Sequence, residues 1–141
     1  MCLLPQVLRS GLEPSRLLIL EAAMLAEDTS QAAPDKLGLL TPILKAMLTD
    51  NAVEHAITAQ QVFGGHGYIR EHGMEQIVRD TRIACLYEGT TEIQALDLLG
   101  RKVLQTQGAM LRDFTKMIHK FVEAHKDNSA MKEFIEPLAA V

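Results

Sequence analysis

Tyr87-Glu88-Gly89-Thr90-Thr91-Glu92 places a carboxylate just before a permissive glycine and a helix start. A carboxylate held there lies near the unpaired backbone N–H groups of the helix's first turn. Beside a bound substrate, such a group suits general-base chemistry. Taken alone, Glu88 reads as a surface glutamate in a loop.

A second segment, Gln61-Val62-Phe63-Gly64-Gly65-His66-Gly67-Tyr68, has glycine at three of four successive positions. Glycine lets the backbone approach a ligand closely or take positive φ. The run is not a dinucleotide fingerprint. Gly65 and Gly67 give G-x-G, but Arg70 stands where the third glycine belongs, and the run closes a helix instead of following a strand. It has no Walker lysine. On spacing alone it reads as a helix C-cap followed by a turn. A third segment, Arg79-Asp80-Thr81-Arg82, carries charges at spacings that form local ion-pair networks on a helix. The five histidines show no HExxH or other metal spacing, and His119 and His125 read as part of a solvated helix face.

The elements that must position these residues read as helices. The residues are 48% hydrophobic and 4% aromatic, with no Trp, which suits helix-on-helix packing better than a β-sandwich. A length of 141 residues allows one domain with one sizeable core. Ser15 is placed to cap a helix over 15–28, and the Pro34-containing stretch 29–36 reads as a loop. Thr41-Pro42 predicts a helix start, continuing to Phe63 before Gly64-Gly65 ends it. A turn region over 64–73 leads to a short helix over 74–82 and a break over 84–89. Thr91 and Gln94 have capping-box spacing, opening a helix that carries Ile93, Leu96, Leu99, Val103 and Leu104. Two further helices are predicted over 109–124 and 130–138, the last capped by Asn128 or Ser129.

The net charge of −4 is spread along the chain, with no basic stretch of the kind that binds nucleic acid. Cys2 and Cys85 form no CxxC pair, zinc pattern or disulfide framework, which favours a reduced, intracellular setting. No apolar run has the length of a membrane span, and Met1 to Pro5 is too short for a signal peptide. The irregular lead-in over 1–14 and the final Leu138-Ala139-Ala140-Val141 suggest a piece of something longer.

In their order and spacing, Gln61 to Tyr68, Val78-Arg79-Asp80-Thr81-Arg82-Ile83 and Tyr87-Glu88-Gly89-Thr90-Thr91-Glu92-Ile93-Gln94 closely resemble the C-terminal signature of acyl-CoA dehydrogenases. The likeness is densest over 40–104. Gly64 to Glu71 and Gln94 to Lys102 resemble a larger bacterial branch, which includes 3-methylmercaptopropionyl-CoA dehydrogenase-like proteins and carries an extra helical segment at its end. The implied fold is all-α, an up-and-down helical bundle of the acyl-CoA dehydrogenase C-terminal type. The bundle is expected to be incomplete, lacking its first long helix. The implied divisions are a lead-in over 1–14, the bundle over 15–107, and the start of the extra segment over 108–141.

The resemblance implies a flavoenzyme using FAD, whose N-terminal helical and middle β-domains are not represented in this chain. It gives Glu88 the role of catalytic base, taking the pro-R α-proton of an acyl-CoA while a β-hydride moves to flavin N5. The product is a trans-2-enoyl-CoA. In the family, the base's own N–H and a flavin ribityl hydroxyl stabilise the developing enolate at the thioester oxygen. Gly89 and Tyr87 are implied to meet the substrate. Thr90, Thr91 and Glu92 are implied to contact FAD from a helix N-terminus. Gln61, Val62, Phe63, Gly64 and Gly65 are implied to touch FAD held mainly by a neighbouring subunit, hence a homodimer or homotetramer. Electron-transfer flavoprotein is the implied acceptor. The implied compartment is the bacterial cytoplasm, or the mitochondrial matrix in a eukaryote. Arg79 and Asp80 match structural positions. The competing expectation is a truncated, non-catalytic helical oligomerisation module that lacks the flavin-binding β-domain. On either reading this piece alone is expected to be inactive.

Overall fold

The computed structural model describes residues 4–140, with side chains from Gln6 onward. All regular structure among them is helical, as the composition implies. The helices are α1 (Leu4–Glu27), α2 (Ala33–Val62), α3 (Gly65–Tyr68), α4 (Met74–Ala84), α5 (Thr91–Leu96), α6 (Ala109–His125) and α7 (Lys132–Leu138). Short 3-10 turns cover Arg70–His72 and Ser129–Met131. Past α5 the backbone widens into a π-helical stretch, Asp97–Leu104. There the N–H groups of Gln105 and Gly108 donate to carbonyls five residues back, on Gly100 and Val103, at 3.0 and 2.8 Å.

The chain divides into two compact units, Met1–Leu98 and Leu99–Val141. In the first, α2 is the central element, with α1, α4 and α5 packed on it. It buries Ala33, Leu39, Leu40, Pro42, Leu44 and Ala56. Helix α1 runs antiparallel to it through a five-residue connection. There the Asp28 carboxylate accepts from the N–H and hydroxyl of Ser30 at 2.8 and 3.0 Å, a side-chain-stabilised turn. Leu8, Gly11, Ser15, Leu18, Ala22 and Leu25 form the half-buried face of α1. Their alternating spacings of three and four keep one seam against a partner helix. At Gly11 the helices come so close that a Cβ would lie 2.5 Å from the His55 ring. Lys36 and Glu21 close the other end with an ion pair of 2.5 Å. In the second unit, Val122 of α6 and Ile135 of α7 are the buried apolar residues.

Pro34, expected in a loop, and Pro42, expected at a helix start, both lie within one longer helix, α2. Residues 4–14, expected as an irregular lead-in, form the first turns of α1, which passes through Pro14. The cap expected of Ser15 is absent; its hydroxyl donates to the Gly11 carbonyl at 2.7 Å in mid-helix. Helix α2 begins at Ala33, with Pro34 in its first turn, and continues through Pro42. An interior proline loses a hydrogen bond and crowds the carbonyl four residues back, at a cost of about 3 kcal/mol. At Pro42 that cost is offset by burial, since less than 2% of the residue is exposed. The residue four back is Gly38, whose backbone yields most easily. Thr41 therefore caps nothing and donates to the Leu37 carbonyl at 2.7 Å.

Candidate functional site

Tyr87 to Thr90 lie in the turn between α4 and α5, with Thr91 and Glu92 opening α5, and the turn's backbone is unusual. Glu88 has φ 56° and Gly89 φ 94°. A non-glycine residue in the left-handed region is uncommon, and such strain persists only where neighbours over-determine it. Gln94 helps to hold it: its side-chain amide donates to the Glu88 carbonyl at 3.2 Å and lies 3.5 Å from that of Gly89. The expected Thr91–Gln94 capping box is thus corrected. Thr90 occupies the cap position with extended backbone and makes no side-chain cap bond. Gln94 is drawn backwards because the strained turn exposes two carbonyls within its reach. A side chain at position 89 would meet that same amide, since a Cβ there would lie 2.6 Å from Gln94 Nε2.

Helix α2 grips this turn from beneath. Lys45 Nζ donates to the Ala84 carbonyl, the last of α4. The same ammonium lies 5.4 Å from the centre of the Tyr87 ring, within cation–π range. Cys85 is buried, and its thiol donates to the Thr49 carbonyl at 3.3 Å. The Thr91 hydroxyl lies 3.3 Å from both carboxylate oxygens of Asp50. A shallow groove beside the turn is lined by Asp50, Arg82, Cys85 and Leu86, with Thr90, Thr91 and Glu92 at the start of α5. The Glu92 carboxyl is held below the usual carboxylate range, first by its own backbone N–H and then by the Thr90 hydroxyl. The side chains of Tyr87 and Glu88 are exposed.

Lys45, Thr49 and Asp50 were not among the residues the motifs singled out. One signal was available: Lys45 interrupts an apolar stretch between Leu44 and Met47-Leu48. Its partner lies 39 residues away, beyond any helical pattern.

The glycine run closes α2, as its spacing suggests. Gly64 takes φ 58°, ψ −142°, a conformation essentially open only to glycine. The turn region contains the short helix α3, which the sequence did not suggest. Gly67 is buried, and a Cβ there would lie 2.5 Å from the Gln60 carbonyl. The Gln60 amide donates to the Gly67 carbonyl at 3.1 Å and pins the turn. Gln61, Val62, Phe63, Gly64 and Gly65 are exposed. One copy of the chain does not gather both segments into one site. Asp50, under the Glu88 turn, and Gln61 are eleven residues apart on α2, roughly 16 Å along its axis at the usual rise per residue.

The Arg79 segment makes its ties one turn back along α4. Arg79 pairs with Glu75 at 2.9 Å, and Asp80 accepts from the Gln76 amide at 2.7 Å. The hydrogen bond and charge of Glu75 raise the Arg79 pKa above its ordinary value. Among the described residues no group of three or more His, Cys, Asp or Glu could hold a metal ion, and no helix is long and apolar enough to cross a membrane.

The family model described as acyl-CoA dehydrogenase, C-terminal domain, matches residues 8–104. A 3-methylmercaptopropionyl-CoA dehydrogenase of Ruegeria pomeroyi is 47% identical over 92 residues, 65% of this chain and 16% of that protein. The broad-specificity linear acyl-CoA dehydrogenase FadE5 of Mycobacterium tuberculosis is 34% identical over 94 residues, 67% of this chain and 15% of its own length. A butyryl-CoA dehydrogenase of Syntrophomonas wolfei is 32% identical over 108 residues, 77% of this chain and 18% of its own. The chain therefore spans about a sixth of the length of these relatives.

Proposed function

Because this chain belongs to the acyl-CoA dehydrogenase family, we propose that it supplies the general-base half of an acyl-CoA dehydrogenase active site, with Glu88 as the base. The observation that carries this reading is the left-handed backbone of Glu88, held by side chains of α2 and α5 ahead of the α5 start. Strain of this kind is kept where a side chain must be aimed.

In the proposed reaction the Glu88 carboxylate takes a proton from the α-carbon of a saturated acyl-CoA. The electron pair of that C–H bond forms the Cα–Cβ double bond as a hydride departs from the β-carbon, and a trans-2-enoyl-CoA results. FAD, when bound, supplies the acceptor for that hydride. The thioester would lie against the backbone of Gly89, and the ring of Tyr87 stands at the same turn. Backbone N–H groups can stabilise charge that develops on the thioester oxygen.

Two observations fit an FAD. Nothing lies within 4 Å of where a Cβ would stand on Gly64 or Gly65, so bare backbone is open to a close-lying cofactor. Thr90 and the first residues of α5 face the groove beside Glu88. Since the two segments are far apart along α2, each would serve a different cofactor molecule, which favours a homodimer or homotetramer. The whole protein would then hand electrons to an acceptor such as electron-transfer flavoprotein. The residues after Gly108 would begin an extra helical segment beyond the bundle.

One observation favours the second reading, a helical association module. Leu17, Leu20 and Met24 of α1 are 66, 59 and 67% exposed, a large apolar surface for a lone chain. Flavin absorbance separates the two. Purified full-length protein should be yellow and should reduce a dye when given a saturated acyl-CoA. A colourless full-length protein inert to every acyl-CoA tried would leave only the association module.

A further inference from the structure

The strained Glu88 turn must be held from both sides, and on the α4 side the holding group is Lys45. Its ammonium reaches the Ala84 carbonyl, one of those that α4 leaves unpaired at its end. A cation there is also favoured by the helix dipole. The same charge lies 5.4 Å from the centre of the Tyr87 ring, on the residue immediately before Glu88. Lys45 is half-buried, so these contacts are only partly screened by water. One turn further along α2, the Thr49 carbonyl takes the Cys85 thiol. The path from Ala84 to Tyr87 is thereby tied to α2 at three points, and Glu88 is the first residue beyond the ties.

We infer that Lys45 is a positioning residue that sets the direction of the Glu88 carboxylate by fixing Ala84 and Tyr87 from α2. This rests on the general-base reading of Glu88. A small misplacement of a base costs rate without costing binding, on the order of 10- to 100-fold.

The test uses the full-length, flavin-loaded protein and the saturated acyl-CoA that wild type oxidises fastest. Lys45→Met, Lys45→Gln, Lys45→Arg and Glu88→Gln are compared by kcat, KM, flavin content and the isotope effect with α-deuterated substrate. Lys45→Met should lower kcat about 10- to 100-fold, leave KM and flavin content unchanged, and raise the α-deuterium isotope effect as proton removal becomes limiting. Lys45→Arg, which keeps a cationic donor, should recover most of the rate. Lys45→Gln keeps a donor without the charge and should fall between wild type and Lys45→Met. It also covers the case in which Lys45→Met does not fold. Wild-type kcat and isotope effect in Lys45→Met or Lys45→Gln overturn the positioning role. So does a loss that only parallels flavin loss and that Lys45→Arg shares in full. Wild-type turnover in Glu88→Gln overturns the general-base reading itself, so the two failures are separable.

Discussion

At the scale of single residues, the Glu88–Gly89 pair concentrates the strain of the turn. Glu88 holds φ 56° and Gly89 φ 94°, and the Gln94 amide sits where a Cβ on residue 89 would have to go. Gly89→Ala should therefore destabilise the fold by about 1–3 kcal/mol, the usual cost of such a conformation for a residue with a side chain. Denaturant titration of the variant measures it, and stability equal to wild type would show that the turn is not held as described. Glu92 offers an independent check on the start of α5. Its pKa is lowered by its own backbone N–H and, next, by the Thr90 hydroxyl. Thr90→Val should raise the Glu92 pKa towards the ordinary value, read by NMR titration; an unmoved value would mean the hydroxyl does not reach it. A lowered folded-state pKa means the contribution is complete above the ordinary value of 4.5 and is lost as pH falls through the lower folded value. Asp113 beside Lys116 and Glu123 beside Lys126 share that sign, so acid should weaken α6 as well. These groups are exposed, and added salt should reduce the effect.

At the scale of elements, α2 is both the core of the first unit and the platform for the Glu88 turn. Leu39 is 2% exposed in its buried face, so Leu39→Ala should cost about 2–5 kcal/mol. Leu17→Ala, on the open side of α1, should change the stability of the isolated chain by no more than about 0.5 kcal/mol. Thermal unfolding of the two variants side by side tests this division of faces, and equal losses would contradict it. Helices with clear ends were legible in the sequence. The end of α2 before Gly64, the start of α4 at Met74 and the extent of α6 follow from glycine breaks and apolar spacing. The starts of α1 and α2 were not, because residues 4–14 were read as an irregular lead-in and Pro42 as the first residue of a helix, after a loop around Pro34. Tertiary burial outweighed that local rule at Pro42. The motif order located the candidate base, but the hold on it was hidden. Lys45 and Asp50 meet the turn across 39 and 41 residues, and side-chain contacts of that span leave no periodic trace. Gln94 was read as a capping partner because capping boxes are defined by spacing alone, whereas its actual choice depended on a strained turn that spacing does not encode.

At the scale of the whole molecule, the chain matches only about a sixth of the length of its relatives, and among the described residues many large apolar side chains stand open to solvent. The 141-residue chain alone should therefore bind no stoichiometric FAD and oxidise no acyl-CoA, while the full-length protein should do both. Turnover by the isolated chain would mean that the reaction needs no part beyond these helices. The central claim concerns Glu88. Its most direct test is stopped-flow reduction of the flavin by a saturated acyl-CoA in full-length Glu88→Gln. Loss of a positioned base typically slows a step by about 10²- to 10⁴-fold. The account predicts a loss of that size in the reduction rate, with flavin still bound and acyl-CoA still binding. Reduction at the wild-type rate would contradict it.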